Sequence, residues 1–165
     1  MSKKALKLKV PNQSDWIGYE KDLDLQDFYR LVYGKQVEDI YYYFKEGAYI
    51  SRSDELLYSN RNIFQYYIYA FALYLETIGK YDIDAQDGFL RLLLNREEKD
   101  PGSVCQIYHN QYNIQIVDED FDKKSITLSL ESTVRNIENR LDKGVIDREI
   151  YSDFPELINN VKKLC

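Results

Sequence analysis

The sequence has few histidines, cysteines and glycines, from which many catalytic, metal and phosphate sites are built. It contains one histidine, two cysteines and seven glycines in 165 residues. No glycine-rich phosphate loop and no Gly-x-Ser-x-Gly motif occurs. Cys105 and Cys165 have no zinc-like spacing, and we expect two free thiols, which suit a reducing cytoplasm. The sequence predicts a non-enzymatic cytoplasmic protein without a cofactor or metal.

One pair of residues has the spacing of a catalytic nucleophile and base. Cys105 and His109 are four positions apart and would share one face of a helix. A small core cysteine beside a surface histidine has the same spacing, and we favour this second interpretation. We therefore expect no catalytic residue in the chain.

An acidic segment resembles the start of a calcium loop but does not complete one. Asp118, Asp120 and Asp122 match the first three ligand positions of an EF-hand. Lys123 stands where the loop requires glycine, and Ser129 stands where it requires glutamate. The segment is therefore interpreted as an acidic surface loop and not as a metal site.

No apolar run is long enough for a membrane span, which needs roughly 20 residues. The uncharged, largely apolar stretch over residues 62–75 is shorter and indicates a buried helix. Gln65, Tyr69 and Glu76 form a narrow polar stripe on it. On the opposite face, which we expect to point inward, helical spacing brings together five apolar residues, Phe64, Ile68, Phe71, Leu75 and Ile78. We predict a central helix over residues 62–78.

The remaining patterns predict a mainly α protein. We expect one domain over residues 1–165, with six to seven helices around the central helix and an extended N-terminal arm over residues 1–20. Asp100 and Pro101 predict the start of another helix. Residues 113–130 alternate with period two as a β-hairpin would, yet part of the segment also fits a helix, so both remain open.

Charge and tyrosine content distinguish this sequence from an average globular protein. The formal net charge is −6, although the first ten residues hold four lysines and no acid. Thirteen of the sixteen tyrosines lie between Tyr19 and Tyr81. An acidic body repels nucleic acid and anionic membranes and attracts basic proteins. We expect a basic protein partner.

Three consecutive tyrosines indicate where such a partner binds. On a helix, Tyr41, Tyr42 and Tyr43 would spread over about 200°, so they cannot all be buried on one face. Tyrosine near carboxylates is typical of binding surfaces. The predicted partner-binding residues are Glu38, Asp39, Tyr41, Tyr42, Asp118, Glu119, Asp120 and Asp122.

Two segments carry a resemblance to a functional class. RNIFQYYIYAF (residues 61–71) and FLRLLLNREEKDPGSVCQIY (residues 89–108) resemble small bacterial helical proteins, and are similar in character to immunity proteins of contact-dependent and polymorphic toxin systems. The resemblance implies a cytoplasmic protein that neutralises one cognate toxin, commonly a nuclease, and it assigns no individual residue. The alternative is a helical assembly or adaptor module, perhaps homodimeric, in which tyrosines pack against another copy.

Overall fold

The computed structural model describes residues 8–118 and 120–165, and within them the fold is mainly helical with one β-hairpin. The α-helices are α1 (Leu23–Val32), α2 (Val37–Ile40), α3 (Tyr49–Tyr58), α4 (Arg61–Glu76), α5 (Ile83–Lys99), α6 (Leu130–Asp142) and α7 (Phe154–Lys162). The strands are β1 (Tyr112–Val117) and β2 (Lys123–Leu128). Short 3₁₀ helices cover Gln13–Trp16, Tyr19–Lys21 and Tyr41–Phe44. The predicted mainly α fold with a small hairpin is confirmed.

Part of the predicted N-terminal arm lies outside the described residues, namely residues 1–7. Residues 8–12 have no regular secondary structure. The two 3₁₀ helices before α1 then replace the expected extended chain, because Asn12 and Asp15 form a capping box and Trp16 turns into the core. The segment from residue 13 is therefore packed onto the body.

Helix α4 is the centre of the fold, as predicted, and twelve of its sixteen residues are buried. Helices α2, α3, α5 and α6 and the Tyr41–Phe44 turn all contact it. Two details of the prediction are wrong. Tyr69, expected on the polar stripe, is fully buried, and Ile78, expected inward, is 56% exposed because the helix ends at Glu76.

A buried arginine joins α5 to the turn between α3 and α4. The Arg96 Nη1 atom donates to the carbonyl oxygens of Leu56, Leu57 and Ser59 at 3.2, 2.8 and 2.6 Å. Its guanidinium group lies 4.8 Å from the centroid of the Phe64 ring. These carbonyls end α3, so Arg96 satisfies acceptors that the helix itself cannot.

The helix expected after Pro101 is not formed, and residues 101–109 are a series of turns. Glu97 explains part of this geometry, because its carboxylate accepts hydrogen bonds from the backbone N–H groups of Val104 and Cys105 at 2.7 and 3.2 Å. Asp100 ends α5 and binds Arg96, and does not begin a new helix.

The two cysteines form a disulfide, which overturns the expectation of free thiols. Cys105 and Cys165 are separated by 60 residues, and their Cα atoms lie 5.3 Å apart. Helix α7 packs on α5 and α6 and brings the end of the chain to the turns that follow α5. Closing a loop of this length restricts the unfolded chain and is expected to stabilise the fold by about 4 kcal/mol.

The open question over residues 113–130 is resolved as a hairpin followed by a helix. The strands pair antiparallel, with Ile114 opposite Ile126. Helix α6 then begins at Leu130, where the Ser129 hydroxyl accepts a hydrogen bond from the Ser132 N–H at 3.0 Å. Among the described residues, no helix has the length and apolar character needed to cross a lipid bilayer.

Candidate functional site

The predicted partner-binding residues form two groups in the chain: Glu38, Asp39, Tyr41 and Tyr42 are the first half of the predicted surface, and the four acidic residues from Asp118 to Asp122 are the second half. Most of the second half lies at the tip of the hairpin. Phe121 is 87% exposed and adopts a φ of +62°, in the left-handed region. Asp120 and Asp122 are exposed on either side of it. Glu119 lies outside the described residues. An aromatic ring is thus held in solvent between two carboxylates.

Asp118 organises this tip and is less available to a partner than predicted. Its Oδ1 atom accepts hydrogen bonds from the N–H groups of Asp120 and Asp122 at 3.0 and 2.9 Å. Its Oδ2 atom lies 3.0 Å from the Lys124 ammonium nitrogen. The hydrogen bond from Lys124 is the main cause that lowers the pKa of Asp118.

The first half of the predicted surface differs from the expected group of tyrosines among carboxylates. Asp39 accepts the Gln36 N–H at 3.1 Å and so caps α2. Tyr42 is 41% exposed, and Tyr41, in the same 3₁₀ turn, is half-buried. The charged group bonded to this cluster is a lysine, because Lys35 donates to the Tyr43 hydroxyl at 3.1 Å.

The hairpin connects the surroundings of Glu38 to the acidic tip. Glu38 shares a cavity of about 260 Å³ with Tyr112 and Gln115 of β1. Gln115 precedes Asp118 by three residues, which is about 10 Å of strand at roughly 3.4 Å per residue.

A second tyrosine and carboxylate surface, not predicted, surrounds the start of α5. Asp82 accepts a hydrogen bond from the Tyr74 hydroxyl at 2.6 Å, and Asp84 accepts one from the Tyr151 hydroxyl at 2.9 Å. Tyr81 beside them is 75% exposed. The signal in the sequence was YDID, but Tyr74 and Tyr151 join it only through tertiary packing.

In the oxidised protein, Cys105 is not available as the nucleophile of a Cys105–His109 pair. Cys105 is in the disulfide and carries no free thiol. The His109 Nδ1 atom lies 2.7 Å from a carboxylate oxygen of Glu131, at the surface. Within the described ranges, no group of three or more His, Cys, Asp or Glu side chains is arranged to hold a metal ion.

Comparison of the chain with models of protein families, with curated proteins and with solved structures finds no match. The functional assignment therefore depends on the surfaces described above.

Proposed function

We propose that this protein is a non-enzymatic immunity or inhibitor protein that binds and neutralises a cognate bacterial toxin, a basic protein such as a nuclease. The observation that carries the proposal is the exposed ring of Phe121 between Asp120 and Asp122 at the hairpin tip. Aromatic side chains are enriched at the centre of protein interfaces, and polar and charged residues form the rim around them.

The backbone of Phe121 supports a role in binding. A residue with a Cβ atom in the left-handed region costs about 1 kcal/mol or more relative to glycine. Phe121 is also 87% exposed, so its ring contributes little burial to the fold. Such strain without packing is characteristic of positions kept for recognition.

The charges support a basic partner. The chain carries a net charge of −6, and the tip presents the free carboxylates of Asp120 and Asp122. Long-range attraction would accelerate association, and burial of the Phe121 ring would slow dissociation. Added salt is therefore expected to reduce the association rate more than the dissociation rate.

The proposed location is the cytoplasm, where a nuclease toxin would act. Disulfides are rare in that compartment. The proposal therefore requires the hairpin tip to bind with Cys105 and Cys165 reduced as well as oxidised. The tip belongs to a separate hairpin, and the Cys105–Cys165 bond closes elsewhere in the chain.

The test is affinity capture from the lysate of the source organism at low salt, followed by release at high salt. The wild type should capture one basic protein and protect cells in which that protein is expressed. Phe121→Ala should weaken binding at least about 30-fold, as expected for an interface anchor. The matched control is Val117→Ala, because Val117 is also exposed on the hairpin and lies outside the tip.

Equal capture by Phe121→Ala and the wild type would contradict the proposal for the tip. Loss of capture in Tyr81→Ala alone would move the interface to the start of α5. Recovery of only the protein itself, with a mass that rises with concentration in light scattering, would replace the inhibitor by a self-assembling module.

A further inference from the structure

Strand β1 pairs with another strand along one edge only in the part of the chain that the structure describes, where the sheet consists of β1 and β2. At the tip, the Asp118 N–H donates to the Asp122 carbonyl at 3.0 Å, so these residues are a hydrogen-bonded pair. Such pairs alternate along an antiparallel ladder. The backbone groups of Asn113, Gln115 and Val117 therefore point to the outer edge of β1. An outer edge of this kind is a template for a further strand.

The described start of the chain lies beside this outer edge. Leu8 and Val10 line a cavity of about 260 Å³ together with Asn113, Ile114 and Gln115. The described lining of this cavity includes no residue of β2. The N-terminal segment therefore approaches β1 from the side opposite to β2.

Two adjoining cavities give the direction of the chain along the edge. Pro11 and Asn12 line a cavity of about 290 Å³ with Tyr112, at the beginning of β1. Leu8 and Val10 line this cavity too, and they also line the one beside residues 113–115. The chain traced back from Asn12 to Leu8 thus advances from the start of β1 toward its middle. Its direction is antiparallel to that of β1.

The sequence before Leu8 continues the alternation of the described segment. Leu8 and Val10 pack against the core, whereas Lys9 is exposed. The same period of two places Leu6 on the inward side and Lys7 on the outward side. Apolar residues that face inward and lysines that face solvent are typical of an edge strand, because lysine prevents further pairing.

The lysines of this segment can reach the acidic tip. Lys4 and Lys3 are four and five residues before Leu8, which is about 13 to 17 Å of extended chain at roughly 3.3 Å per residue. The tip begins three residues beyond Gln115, or about 10 Å. Residues 118–124 contain four acidic side chains and two lysines, so the tip is negative. Length and charge therefore both match.

We propose that residues 3–7 add to the outer edge of β1 as a third, antiparallel strand, and that Lys3 and Lys4 contact the carboxylates of the hairpin tip. Main-chain hydrogen bonds hold the segment on β1, and Leu6 packs toward the core. A basic toxin must then displace the two lysines before it reaches the carboxylates. This last consequence rests on the proposed function, and the third strand does not.

Nuclear Overhauser contacts and amide hydrogen exchange in the full chain test the third strand. We expect contacts between residues 4–7 and residues 115–118, and slow exchange of the Gln115 and Val117 N–H groups. Leu6→Ser should accelerate exchange of these two amides at least about tenfold, because it removes the inward apolar side chain. The matched control is Ala5→Ser, which makes a polar change on the outward side and should leave both rates unchanged.

The Ile116 N–H faces β2 and should exchange slowly in both variants, which shows that the hairpin remains folded. Fast exchange of Gln115 and Val117 in the wild type would overturn the third strand. Equal exchange rates in Leu6→Ser and Ala5→Ser would do the same.

Chemical cross-linking tests the contact between the lysines and the tip. A carbodiimide joins a lysine amine to a nearby carboxylate as an amide and is itself converted into a urea. Mass spectrometry should find Lys3 or Lys4 linked to residues 118–122, with a several-fold lower yield at high salt. Equal yields of links from Lys3 and Lys4 to acidic residues elsewhere would contradict the contact.

A double charge reversal separates this inference from the proposed function. Lys3→Glu combined with Lys4→Glu should speed toxin association at least about twofold relative to Lys143→Glu combined with Lys163→Glu, which makes the same charge change at exposed lysines. Equal rates would reject displacement of the lysines. A third strand without toxin capture would retain this inference and reject the proposed function. Toxin capture without a third strand would do the reverse.

Discussion

Helix α4 and the tip of the hairpin use aromatic side chains in opposite ways. In α4, the Tyr67 hydroxyl donates to the carbonyl oxygens of Val32 and Lys35 at 2.8 and 2.9 Å, and the Tyr69 hydroxyl donates to the Ile107 carbonyl at 3.1 Å. Both rings are fully buried. At the tip, Phe121 is exposed and its backbone is strained. The first region contributes to the stability of the fold, and the second is the surface that we propose for contact with a partner.

The difference shows why tyrosine content alone does not locate a binding site. The α4 tyrosines join separate segments, because each ring is buried and each hydroxyl bonds a backbone or side-chain group outside the helix. Burial in α4 accounts for four of the sixteen tyrosines in the chain. Substitutions in α4 should therefore reduce stability, and substitutions at the tip should reduce binding.

The largest expected effect is that of Tyr67→Ala. This change removes a buried ring that contacts Trp16 and Phe28, together with the hydroxyl that donates to the Val32 and Lys35 carbonyls. The free energy of unfolding should fall by about 3 to 5 kcal/mol. Urea denaturation measures it, with Tyr81→Ala as the control at a 75% exposed site, where the change should stay within about 0.5 kcal/mol.

If both variants lost the same stability, the contrast between buried and exposed tyrosines would be wrong. A Tyr67→Phe variant refines the result, because it retains the ring and removes only the hydroxyl. Its cost should be about 0.5 to 1.5 kcal/mol, the net contribution of a typical hydrogen bond, because the Val32 carbonyl keeps the Lys35 N–H as a donor.

The next effect is a loss of stability at alkaline pH. Burial raises the pKa of Tyr66 to about 12, from 10.0. Below pH 10 the phenol is protonated in both states, so its contribution is complete. Between about pH 10 and pH 12 only the unfolded state ionises, and stability falls by roughly 2 kcal/mol for this residue.

Urea denaturation at several pH values measures this loss, and Tyr66→Phe should show a shallower decline than the wild type. Tyr108, whose pKa burial also raises to about 12, should contribute in the same direction. An identical slope in Tyr66→Phe and the wild type would show that Tyr66 does not carry this dependence.

The smallest effect is that of Phe121→Gly on stability. Glycine accepts the positive φ of this position without strain, and the unfolded chain gains some freedom in return. Stability should remain unchanged or rise by up to about 1 kcal/mol. Val117→Gly is the control within β1, where glycine should cost about 0.5 to 1 kcal/mol.

Thermal and urea unfolding of Phe121→Gly and Val117→Gly measure whether the exposed tip contributes to the stability of the fold. A loss above about 1 kcal/mol in Phe121→Gly would mean that the ring stabilises the hairpin, which would remove the argument for binding.

Local patterns predicted much of the fold for identifiable reasons. The apolar face of α4 follows helical period, and the alternation in NIQIV and SITLSL matches β1 and β2. Tyr69 departs from its pattern because Ile107, far along the chain, offers its hydroxyl an acceptor. The helix expected at Pro101 is replaced by turns, in which Glu97 binds the backbone of Val104 and Cys105.

The candidate sites were less predictable than the fold. Asp39, Tyr42 and Asp118 are near the surface as expected, but local hydrogen bonds commit Asp39 and Asp118 to caps and turns. The cavity at the outer edge of β1 joins residues of the N-terminal segment, α2 and β1. Such a site has no local signature, because its members are close only after the chain packs.

The sequence by itself determined the helical class, the buried central helix, the hairpin as one of two alternatives, and an acidic surface. These follow from periodicity, turn chemistry and charge, which act over a few residues. Tertiary structure decided the Cys105–Cys165 bond and the exposure of Phe121. These depend on distances between remote segments, which only the packed chain sets.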